Sequence, residues 1–100
     1  MATTSKALAR TAAATSNTTL YTVPSATTAV VTNIVVTNTA ASAGTFTIKL
    51  DGVDVISGAS IAANSSAFFD LKQVLAAADL IEGSASATSV NFHISGVEIA

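Results

Sequence analysis

Chemistry in a protein starts from side chains that titrate, attack or ligate, and this chain has few of them. It holds one His, no Cys and six carboxylates in 100 residues. His93 is the one side chain whose ordinary pKa lies near neutrality, so it is the natural candidate for acid–base work. It sits between Phe92 and Ile94 and shares a strand face with Asn91 and Ser95, with no Cys or second His to assist it. It reads as a polar residue on a sheet face, with a pH-sensitive subunit contact as the functional alternative. Asp51 and Asp54 flank a turn, whereas a calcium site asks for about six to eight oxygens. Asp70, Asp79, Glu82 and Glu98 are scattered, and nothing selects a glycosidase pair among them. There is no Gly-rich phosphate loop, no Ser-centred elbow and no metal-binding helix motif. Asn17-Thr18-Thr19 and Asn64-Ser65-Ser66 match the glycosylation triplet, a chance match in so Ser- and Thr-rich a chain. The expectation is a protein without catalytic, cofactor-binding or metal-binding residues, and so not an enzyme.

Composition points the same way. Ala, Thr and Ser make up 48 of the 100 residues, and half the chain is hydrophobic. Only 10 % is charged, against about 25 % in an ordinary globular domain. A net charge of −2 offers no electrostatic footprint for nucleic acid or an anionic membrane. No segment reaches the run of apolar residues that a transmembrane helix needs, and Met1 to Ser16 lacks the apolar centre of a secretory signal. The expected chain is soluble and made in a cytoplasm. With so few charges, its surface must consist of hydroxyls and methyls, which suits burial between subunits better than free diffusion. A homo-oligomer is therefore expected.

The elements that would position these groups are β-strands. Leu20-Tyr21-Thr22-Val23 is rich in β-formers and stopped by Pro24. Ala29 to Thr37 is the strongest strand, with Val30, Ile34 and Val36 on one side and Val31 and Val35 on the other. Apolar residues on both faces imply a central strand, or one face given to a partner. Thr45 to Leu50 alternates, with Phe46, Ile48 and Leu50 inward. Asp51-Gly52 then predicts a type I′ hairpin, because both positions need positive φ. In that register Leu50 faces Val53 and Ile48 faces Val55, all on one face. Ser57-Gly58 ends the second arm. Ala67 to Leu71 is a further strand, after which Leu71, Val74, Leu75 and Ala78 fit a helical turn or a structured loop. Leu80 to Ala87 is a weak strand containing Gly83. Val90 to Ile99 is the last, and its apolar parity switches at Ser95-Gly96, which predicts a β-bulge. The fold class is all-β, a small antiparallel β-sandwich of about seven or eight strands, jelly-roll or immunoglobulin-like in outline.

Residues 1–16 stand apart as a low-complexity N-terminal arm or edge segment, and residues 17–100 form the single sandwich domain. Lys6 and Arg10 are half of the basic residues, and Leu8 is the one large aliphatic after Met1. An arm would use Lys6 and Arg10 against acidic groups and Leu8 against a shallow pocket on a neighbouring subunit. Its removal would then leave the sandwich folded and weaken binding. Phe68 cannot share a face with both Phe69 and Leu71, so it either lies on a second sheet face covered by the segment after it or anchors a subunit contact. The candidate interface residues are Lys6, Leu8, Arg10, Val31, Val35 and Phe68.

Several segments carry a resemblance. Leu20-Tyr21-Thr22-Val23-Pro24-Ser25 followed by Thr27 to Thr39, then Gly44-Thr45-Phe46-Thr47-Ile48, Leu75-Ala76-Ala77-Ala78-Asp79 and the closing Ser95-Gly96-Val97-Glu98-Ile99 resemble small β-sandwich virion structural proteins of tailed bacteriophages. The resemblance spans residues 18–99, and its motifs are structural. Ala78 departs from the pattern, since such turns often carry Gly. The resemblance implies a non-enzymatic part of the virion: a capsid decoration or cement protein, commonly a trimer, bound to the major capsid protein or other virion proteins. A tail, neck or fibre component, including an adhesion or glycan-binding module, is the alternative that it implies.

Overall fold

In a computed structural model that describes residues 3–100, the chain forms eight strands, and there is no helix among the described residues. The strands are β1 (Thr3–Ala12), β2 (Thr18–Thr22), β3 (Thr28–Asn38), β4 (Gly44–Leu50), β5 (Val53–Ile61), β6 (Ser65–Leu75), β7 (Leu80–Ala85) and β8 (Val90–Ile99). They make two four-stranded sheets, ordered β1-β8-β3-β6 and β2-β7-β4-β5, with every pairing antiparallel. First pairs with last, second with seventh, third with sixth and fourth with fifth. That nesting is one long antiparallel ribbon, bent at the β4–β5 hairpin and rolled up. It is the jelly-roll form of the β-sandwich rather than the immunoglobulin form.

The core lies between the sheets. Ile34, Val36, Phe92 and Ile94 from the first sheet meet Phe46, Ile48 and Ile81 from the second, all fully or almost fully buried. Phe46 packs edge-on against Phe69 and Phe92, with ring centroids 6.0 and 6.2 Å apart, the geometry that aromatic quadrupoles favour. The hairpin closes at Asp51-Gly52 with φ of 51° and 79°, as a type I′ turn requires. Leu50 pairs with Val53.

Several expectations are corrected, mostly by bulges. In β5 an extra residue at Val55 makes Ile48 face Ile56, and Val53 and Val55 are exposed rather than inward. Ser57-Gly58 does not end that arm. Gly58, with φ of 56°, carries a second bulge, and its N–H is held by Thr47 Oγ1 at 3.0 Å. The strand then continues to Ile61. In β3 the extra residue is Thr32, so Val31 turns inward and Val30 turns outward, away from the side of Ile34 and Val36. The bulge expected on β8 sits instead on both strands flanking it, at Leu8 of β1 and Thr32 of β3. At Gly96 β3 approaches β8 closely: an added Cβ would lie 2.1 Å from the Val30 carbonyl oxygen. The helical turn after Leu71 is strand. Residues four apart share a face in both structures, and Leu71 and Leu75 both pack inward along β6.

Residues 3–12 are not a free arm. They pair along β8 from Thr3 opposite Ile99 to Ala12 opposite Asn91. Leu8 and Ala9 join the core, which gives this segment the apolar contacts that a disordered arm would lack.

Candidate functional site

The outer face of the β1-β8-β3-β6 sheet collects most of the candidate interface residues. Register places Arg10, His93, Val35 and Phe68 in one row across all four strands. Arg10 and Phe68 are exposed, and Val35 and His93 are half-buried between them. A parallel row of Val97, Val30 and Val74 lies toward the other end. Arg10, Val35 and Phe68 are thus brought together, with His93 as a neighbour.

The other three candidates are placed elsewhere. Leu8 and Val31 are core residues, 6 % and 0 % exposed. The bulges at Leu8 and Thr32 turn both side chains into the sandwich. Lys6, four residues before Arg10, would share its face in a regular strand. The Leu8 bulge reverses the alternation, and Lys6 turns to Glu98 with its Nζ 3.4 Å from Oε1.

Glu98 is the centre of a small polar group joining the two sheets. Its other oxygen accepts a hydrogen bond from the Tyr21 hydroxyl on β2. That hydrogen bond, reinforced by Lys6, holds the Glu98 carboxyl below its ordinary range against the opposing effect of desolvation. Burial, followed by the hydrogen bond and charge of Glu98, pushes the Tyr21 hydroxyl up. An ionised carboxylate with a neutral phenol is the arrangement that this geometry stabilises. It is a clasp between the two sheets.

A second polar group closes the opposite end. Buried Asn38 donates to the carbonyls of Ser42 at 2.9 Å and of Ile61 and Ala62 at 3.4 Å. Its oxygen accepts from the Ala40 N–H at 3.1 Å and the Ser89 hydroxyl at 3.4 Å. One side chain thereby ties three connections together and leaves its own polar atoms satisfied. Among the described residues, no three His, Asp or Glu side chains gather as a metal site would require.

Among the described residues, four large apolar side chains are exposed: Val53, Val55, Phe68 and Val74. All lie on β5 and β6, the edge strands of the two sheets on one side of the sandwich. A surface pocket lined by Thr32, Asp70, Leu71 and Lys72 sits on the same side. Sequence reasoning found Phe68 here and missed Val74, Asp70 and Lys72. The available signal was the period-two run from Ser66 to Val74, which the helical spacing of Leu71, Val74 and Leu75 obscured.

No family model matches the sequence, and a search of curated proteins finds no match. Solved structures similar to this chain include a pentameric capsid protein isolated from metagenomic phage sequences, at 19 % identity and a TM-score of 0.40, covering 89 % of this chain and 57 % of that one. A second structure with the same description, solved by iodide phasing, matches at 18 % identity and a TM-score of 0.35, covering 89 % of this chain and 59 % of that one. The chain therefore spans less than two thirds of the length of either.

Proposed function

We propose that this chain is a non-enzymatic structural protein of a phage virion, a capsid decoration protein that cements neighbouring capsid subunits. The observation that carries the reading is the surface. A jelly roll with a complete core still leaves three apolar side chains, Val53, Phe68 and Val74, about 70 % exposed on its β5 and β6 edge strands. The polar groups that meet, Lys6–Glu98–Tyr21 and the Asn38 hub, act inside the fold as clasps. Apolar side chains left on one side of a stable sandwich favour contacts between subunits over catalysis. The resemblance of residues 18–99 to small phage virion proteins supplies the setting: a homo-oligomer, with a trimer as its ring order, seated on the major capsid protein. The fold alone does not dictate this, since jelly rolls serve many functions.

Imaging of the virion tests the reading. Density for this sandwich repeated over the head lattice at high copy number is expected, together with loss of head stability when the protein is stripped and recovery when it is added back. Density confined to the tail, neck or fibre would replace the cement reading with the alternative. Absence from the particle would overturn both.

A further inference from the structure

β6 is an edge strand with an unusual outer face. It pairs with β3 on one side, and no other backbone hydrogen bond among the described residues involves residues 65–75. Its outward positions run Ser66, Phe68, Asp70, Lys72 and Val74, and all five are exposed, as is Gln73; between Asp70 and Gln73 the strand carries one residue more than β3 opposite it. Around Leu71 the pattern is apolar, acidic, basic, apolar. An edge strand presents unpaired N–H and C=O groups that template another strand, and charge on the edge is the usual safeguard. Here the two charges are opposite in sign and symmetrically placed, so they complement a second copy of the same strand.

We propose that β6 pairs antiparallel with β6 of a second copy of this chain, about a two-fold axis at Leu71, joining two sheets edge to edge. In that register Phe68 lies opposite Val74 of the second copy, and Asp70 lies opposite Lys72 of the second copy. Symmetry makes each pair twice. Aromatic–β-branched and opposite-charge pairs are both favourable across antiparallel strands. Competing registers lose this match. Centring on Asp70 or Lys72 sets like charges against each other, and an in-register parallel pairing does so twice. A slip of one residue sets the outward face against the inward one. Charge complementarity thus selects both the direction and the register. The contact goes beyond the virion reading, because it involves two copies of this chain and no capsid.

The test is sedimentation equilibrium of the full chain at rising concentration up to about millimolar, with charge-swap variants. Wild type is expected to associate into species whose mass is an even multiple of the 9.9 kDa chain, a dimer, or a hexamer where two of the proposed trimeric rings join through β6. Asp70→Lys and Lys72→Asp each oppose like charges twice and are expected to weaken the association about tenfold or more. The double variant restores unlike pairs and is expected to return to within about threefold of wild type. Phe68→Ser, which leaves the charges alone, is expected to weaken association as well. Far-UV circular dichroism checks that the exposed substitutions leave the fold intact. A wild type that stays monomeric, an odd-numbered assembly, single variants that associate like wild type, or a double variant as weak as the singles would each overturn the pairing.

Discussion

Gly96 offers the sharpest test of how this sandwich holds together. It sits on β8, opposite Val31, where β8 runs between the bulged strands β1 and β3. In Gly96→Ala the new Cβ would lie 2.1 Å from the Val30 carbonyl oxygen, 2.9 Å from Leu8 Cδ1 and 3.1 Å from the Val30 carbonyl carbon. The tip of Leu8 can move aside. The Val30 carbonyl belongs to the central ladder and must retreat by about 1 Å, which breaks or bends one or two ladder hydrogen bonds and adds packing strain. Together these cost about 2–4 kcal/mol, a large share of the roughly 5–15 kcal/mol that holds a small domain. The melting temperature should fall by roughly 10–25 °C. The chain has no Trp, so urea and thermal unfolding are followed by far-UV circular dichroism at one fixed protein concentration. Gly52→Ala is the control. Its φ is 79° and nothing lies within 4 Å of the added Cβ, so it costs only the left-handed strain, about 1 kcal/mol. A Gly96→Ala variant as stable as Gly52→Ala would refute the claim that close backbone approach holds glycine there.

Ala78 adopts a φ of 72° without being glycine, so Ala78→Gly is expected to raise stability by about 0.5–1 kcal/mol in the same urea assay. Asn38→Ala removes the donor to three carbonyls and the acceptor for Ala40 and Ser89, and a loss of about 2–3 kcal/mol with early hydrogen exchange at all three connections it ties is expected. The clasp sets a pH window. The lowered Glu98 carboxyl stabilises the fold above the ordinary carboxylate range, and this is lost as pH falls through its depressed value; the raised Tyr21 hydroxyl stabilises it below about pH 10, and this is lost at higher pH. Unfolding free energy measured from acid to alkali should therefore fall less steeply at both ends in Glu98→Gln than in wild type. Deleting residues 1–12 removes β1 with Leu8 and Ala9 and bares the edge of β8, so the truncated chain is expected to lose its cooperative unfolding transition rather than remain a folded sandwich.

The strands were largely legible in the residues because their signals are local. Asp51-Gly52 specifies its hairpin through φ alone, and the alternation of Phe46, Ile48 and Leu50 marks one face of one strand. The β class, the strand count and the poverty of chemical groups follow from such features. Which sides of β1 and β3 face the core did not follow, because each bulge depends on a neighbour strand. Gly96 lets β3 approach β8 beside the Thr32 bulge, and the Leu8 bulge on β1 lies beside the same glycine. The two bulges bury Val31 and Leu8 and send Lys6 to Glu98, leaving Arg10, Val35 and Phe68 on the outer face. Leu71 and Leu75 fit a helix or a strand equally well, since residues four apart meet on one face in both, and pairing with β3 resolves the choice. The jelly-roll order, the Tyr21–Glu98 clasp across 77 residues and the free edge of β6 all join positions remote in the chain. Local propensity carries no information about such contacts; they exist only once the ribbon has rolled up.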